Sequence, residues 1–158
     1  MPIFIFLHVL TMFAAVALAY GPTALMVVAS RNGDVRALRS ITGIYNKLGE
    51  RVIGPAFGIG IVFGFIAVFV HGFDPRLGWL VIAYLLVGAA LVMTFRFTGP
   101  WLAKVQAAAE ASPDDRMSPE LNELVNSRRN QVMLVVDALI IVALIADMVL
   151  KPLPNRLF

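Results

Sequence analysis

The chain has 158 residues, of which 59% are hydrophobic and 15% charged, and its mean hydropathy is +0.83. A water-soluble domain carries roughly 45–50% apolar and about 25% charged residues, so this composition leaves too few polar groups to cover a water-facing surface. It calls for one integral membrane bundle. Cysteine is absent, which excludes disulfides, thiolate metal sites, c-type haem attachment and thiol catalysis, and a net charge of +3 reports topology before nucleic-acid binding.

A bilayer core needs about 20 apolar residues per helix, and four segments qualify. The first, residues 3–29, is interrupted at Tyr20-Gly21-Pro22, where proline removes a helix hydrogen bond and is expected to bend the helix. Ala17-Leu18-Ala19 looks like a signal-peptide cleavage site, but no positive n-region precedes it, so the segment reads as an uncleaved span. A polar connection with Arg31, Arg36, Arg39, Lys47 and Arg51 follows. Within it residues 40–48 suit a short amphipathic helix lying on the membrane.

The second span, residues 52–73, is crowded with glycine and ends in a histidine. At helical spacing Gly60, Gly64, Ala67 and His71 share one side. Residues 74–78, Asp-Pro-Arg-Leu-Gly, make a tight turn. The third span, residues 79–97, is flanked by Trp79 and Trp101, which suit the two membrane interfaces. Residues 102–111 read as a helical extension out of the bilayer. Ser118-Pro119-Glu120 then starts a helix with serine as N-cap, proline at its first position and an acid in its first turn. That helix is expected to run unbroken through Arg128-Arg129 and the fourth span, residues 132–150, to a stop at Lys151-Pro152.

The first and third connections hold ten of the Lys and Arg residues. The second connection and the C-terminal tail hold three: Arg76, Lys151 and Arg156. By the positive-inside rule both termini face outward and the two long connections are cytoplasmic. The expected fold is therefore an all-α, antiparallel four-helix bundle, multi-pass in a bacterial inner membrane.

Leu7-His8-Val9-Leu10, the run Arg51 to Ala56 that opens the second span, Gly99-Pro100, and the run Asp147 to Pro152 together resemble a bacterial family of predicted four-helix membrane proteins, domain of unknown function 2269. The resemblance covers nearly the whole chain and implies no assigned activity. More distantly, a Leu-His pair early in a four-helix membrane unit resembles the copper-resistance protein CopD and the haem-binding protoporphyrinogen oxidase HemJ. That likeness implies a haem or copper site at His8. This chain departs from those relatives after the histidine, reading Met12-Phe13-Ala14-Ala15 where they carry a Trp-Phe-Ala-Gly-type run.

Ionisable side chains at membrane depth are costly and mark candidate sites. His8, His71 and Asp147 fall in one leaflet on this topology, and neutral imidazole is a common ligand for haem iron and other metals. Met12, one turn after His8, adds a soft ligand for copper. One reading is a b-type haem between spans one and two, with His8 and His71 as ligands, Gly60 and Gly64 making room, and Asp147 or Asp74 orienting an imidazole. The other is structural: His8 hydrogen-bonds a neighbouring helix, His71 is interfacial beside Asp74, and the glycines are close helix contacts.

Two ion pairs are expected, Asp147 with Lys151 four residues on, and Asp137 with Arg96. No hydrolase, phosphate-loop or nucleotide motif is present, so the sequence leaves open whether the protein is an enzyme. The expected partners are the bilayer, anionic lipid heads and other membrane subunits, not nucleic acid. Two functions stand side by side: an accessory or assembly subunit without catalysis, and a haem- or copper-binding protein.

Overall fold

The computed structural model describes residues 2–155; Arg156 of the topology count lies outside them. The order is α1 (Ile3–Arg31), α2 (Val35–Leu48), α3 (Gly54–Val70), α4 (Gly78–Met93), α5 (Gly99–Ala111), α6 (Pro119–Asn126) and α7 (Arg128–Leu150), with no strand among the described residues. Four helical stretches are long and apolar enough to cross a membrane, so the chain is an all-α, multi-pass membrane bundle.

The connections differ from the sequence reading in a way that shapes the molecule. Residues 40–48 are not a detached surface helix. They lie in α2, which starts at Val35 with Asp34 as N-cap and runs through a π-turn, Gly49–Ile53, directly into α3. A second π-turn, Thr94–Thr98, joins α4 to α5. Each is followed by Gly-Pro, and the cause is the same. Pro55 and Pro100 have no N–H to offer the carbonyl four residues back, so the preceding glycine amide reaches one residue further, Gly54 to Gly49 O and Gly99 to Thr94 O. A Cβ at position 99 would lie 2.9 Å from Thr94 O, which is why glycine stands there.

α1 is continuous through Pro22, so the expected interruption does not occur. The last helix, by contrast, is broken: Ser127 is extended (ψ 137°), ends α6 and caps α7 through Asn130 N. The break frees the Leu124 carbonyl, which accepts from both Asn130 Nδ2 and Trp101 Nε1 at 2.8 Å. Trp101 is therefore a core residue, 9% exposed, and not a lipid-interface anchor.

It belongs to a cap built from α2, α5, α6 and the adjoining ends of α1 and α7, where Met26, Val35, Leu38, Leu102, Val105 and Leu121 form the largest buried cluster. Arg39 ties α2 to the end of α5 by donating to Ala109 O, Ser112 O and Asp114 Oδ1, and Arg36 reaches the same carboxylate at 3.1 Å. At the opposite end the helices pair as α1 with α3 and α4 with α7.

Candidate functional site

α1 and α3 touch along the glycine stripe. The first atom a Cβ on Gly64 would meet is His8 Nδ1 at 2.9 Å, and a Cβ on Gly60 would lie 2.6 Å from Met12 Sδ. His8 Nδ1 donates to Gly60 O at 2.7 Å, and since a carbonyl can only accept, the proton sits on Nδ1. In the neutral ring Nε2 is then the nitrogen with a lone pair to offer. A macrocycle-wide gap between these two spans, the place expected for haem, does not exist. The stripe is filled by His8 and Met12 side chains.

The open space lies elsewhere. α1 and α7, and likewise α3 and α4, have no Cα atoms within 8 Å of each other, and a cavity of about 510 Å³ separates the α1/α3 pair from the α4/α7 pair. That volume is within the roughly 300–1,000 Å³ of small-ligand sites. Its wall is apolar, with His8, Tyr84, Trp79 and Lys151 supplying the polar groups, and Gly64 and Met12 also line it. On the α3/α4 side Phe65 stacks on Tyr84 at 5.7 Å. At the end bearing the termini Phe73 meets Trp79 edge-on, and Lys151 Nζ stands 5.4 and 5.0 Å from their ring centres. Ile5, Val9 and Phe13 of α1 and Ile145 and Val149 of α7 line the cavity while remaining exposed, which makes the α1/α7 side its mouth.

The two histidines do not converge. His71 caps the C-terminus of α3, with its ring 6.1 Å from that of Phe73, and it does not line the cavity. It lies seven residues, about 10 Å of helical rise, beyond the Gly64 that His8 touches. A site using both imidazoles has no support in this geometry. Among the described residues no three His, Cys, Asp or Glu side chains group as a metal site, so copper would have to rely on His8 and Met12 with few other donors.

Neither expected ion pair forms among the described residues. Asp137 accepts from the Tyr20 hydroxyl at 2.9 Å while Arg96 points out from its π-turn; a hydroxyl satisfies the carboxyl without bringing a guanidinium into apolar surroundings. Lys151 has left the helix (φ 47°), so the four-residue spacing no longer puts it on the Asp147 face. It leans over Phe73 and Trp79 instead, and the Asp147 carboxyl, 5% exposed, has no hydrogen-bond partner among the described residues. Two signals in the sequence pointed this way: Tyr20 on α1, and the proline after Lys151.

The donor set fits a haem in one respect. An imidazole whose Nδ1–H is held by a carbonyl is the usual arrangement of a metal-ligating histidine, and His8 adjoins an apolar cavity large enough for a ligand. The fit is to a single imidazole.

Comparison with known proteins identifies the lineage. The family model for DUF2269, described as a predicted integral membrane protein, matches residues 2–152. No curated protein and no solved structure matches, so the wider likeness to copper-resistance and haem-handling proteins gains no support there. The chain belongs to the DUF2269 family of predicted integral membrane proteins.

Proposed function

We propose that the chain, a member of this family of predicted integral membrane proteins, holds a b-type haem between its two helix pairs, with His8 as the one imidazole ligand. The observation that carries the reading is the His8 ring, fixed through Nδ1 by Gly60 O on the wall of a largely apolar cavity. Haem, when bound, supplies one-electron redox chemistry. The chain's own part is to hold the imidazole in one tautomer and keep water away from it. In the orientation favoured by the Lys and Arg count, with both termini outside a bacterial inner membrane, this cavity lies in the outer leaflet. A C-terminal alkaline phosphatase fusion should then be active and a fluorescent-protein fusion dark.

Protein purified in mild detergent from haem-replete cells should show a Soret band that shifts on dithionite reduction. His8→Ala should abolish the band and His71→Ala should keep it. A colourless wild type sinks the proposal. Metal analysis of the same sample tests copper, for which His8 and Met12 are the available ligands.

The second reading, an accessory or assembly subunit without catalysis, draws on the cap. A separately packed helical unit outside the spans, with the charged groove of Lys104, Glu120, Glu123 and Arg129, offers a surface for another protein. Mild-detergent co-purification should bring down a stable partner, and a lone monodisperse chain would count against it.

A further inference from the structure

We infer that Lys151 holds the acidic edge of the group in this cavity, which makes it a positioning residue for an apolar ligand with carboxylates on one side. The inference rests on the haem reading for the ligand's identity, haem b being an apolar macrocycle with two propionates. Of the described residues that line the cavity, Lys151 is the one that carries a fixed charge. Its placement is costly. The helix ends on it in the left-handed region, φ 47°, where glycine or asparagine is the usual choice. Asp147, four residues earlier, offers it no ion pair, because leaving the helix carries the ammonium away from that face. What it gains is a seat over Phe73 and Trp79 at the end of the cavity.

Depth is consistent with this. His8 lies five residues inside the start of α1, about 7–8 Å of rise, while Lys151 directly follows the last residue of α7 at the same end of the bundle. An imidazole within the layer and a cation at its edge suit a ligand whose centre is apolar and whose rim is acidic. The exposed flanks of α1 and α7 give such a group a lateral way in from the bilayer.

The test compares haem b with its dimethyl ester, titrated into the full-length chain from haem-limited cells in phosphatidylcholine nanodiscs. Wild type should bind the free acid about ten- to a hundredfold more tightly than the ester, the range of one charge-assisted contact. Lys151→Gln should erase that preference, and Lys151→Arg should keep it. A purely structural role for Lys151 would alter both ligands alike and overturn the inference. Equal binding of acid and ester by wild type would overturn it while leaving the haem reading standing, and binding of neither would overturn both. The preference must persist in nanodiscs containing phosphatidylglycerol. Its loss there would assign Lys151 to a lipid headgroup and refute the proposal.

Discussion

Gly64→Ala puts a methyl group where α1 leaves no room. A Cβ at that position lies 2.9 Å from His8 Nδ1 and 3.0 Å from Cε1, so the imidazole must turn or the helices must part. Either change breaks the 2.7 Å bond to Gly60 O. Overpacking of this kind costs about 1–3 kcal/mol, and the hydrogen bond contributes about 0.5–1.5 kcal/mol. Alanine recovers roughly 1 kcal/mol of helix propensity over glycine. The net loss is roughly 1–3 kcal/mol, on the order of 3–10 °C for a chain of this length.

Gly58→Ala is the control, since nothing lies within 4 Å of a Cβ there and only the propensity gain applies. Gly60→Ala should fall between the two, because the first atom met is Met12 Sδ, the movable part of a flexible side chain. The assay is thermal unfolding of the three variants and wild type in one detergent, followed by circular dichroism. If Gly64→Ala melts with Gly58→Ala, at or above wild type, His8 is not seated on α3 and the contact between the helices is misassigned.

Tyr20→Phe should cost about 1–3 kcal/mol, because it strips the Asp137 carboxyl of its donor. Arg96→Ala should stay within about 0.5 kcal/mol, and equal losses in the two melts would restore the Arg96–Asp137 pair. The hydrogen bond from Arg39, with the charge of Arg36 beside it, holds the Asp114 carboxyl below the usual carboxylate range. A depressed folded-state pKa gives stabilisation that is present above the unfolded value of about 3.9 and lost as pH falls through the lower folded value. Melting temperature should therefore decline in acid below about pH 4, less steeply in Asp114→Asn, and added salt should narrow the difference between the two. Gly78→Ala would put a Cβ 2.5 Å from Leu153 Cβ and dislodge the tail that accepts from the Gly78 and Trp79 amides. Hydrogen exchange at residues 78 and 79 should then quicken, and unchanged exchange would refute that docking.

Much of the fold was legible because a lipid-facing helix must be apolar for its whole length, and that signal survives any packing arrangement. The four spans, the N-cap at Ser118 and the stop at Lys151 follow from local chemistry, whereas the N-cap at Asp34 emerged only with the structure. The site was harder to read. Periodicity put Gly60, Gly64 and His71 on one side of a helix, but it did not say that α1 would press against that side. Nor could it tell that the free volume would fall between helix pairs. A histidine at membrane depth needs a partner, and His8 finds one on the neighbouring helix; that Gly60 O supplies it is a tertiary fact. The Arg96–Asp137 pairing failed for a similar reason. Matching depth along two helices leaves their rotation open, and Tyr20 reached the carboxyl first.

The tightest core lies in the cap, where Val35, Leu38, Val105 and Leu121 are fully buried, while many span residues such as Phe13, Leu85 and Val149 are exposed. Water drives the cap helices together through the hydrophobic effect, whereas apolar side chains in lipid gain nothing comparable by leaving it. Two helix pairs clamped at the cap can therefore stand apart at the other end at little cost, and acyl chains can fill the space. A cavity of about 510 Å³ between helix pairs in a membrane is thus open to acyl chains as well as to a specific ligand. The polar groups at its border have protein partners: Gly60 O holds the His8 imidazole in one tautomer, the contact expected of a histidine that hydrogen-bonds a neighbouring helix, and Lys151 ends α7 in the left-handed region over Phe73 and Trp79. Ligand binding by variants at His8 and Lys151 therefore distinguishes a specific bound group from acyl chains.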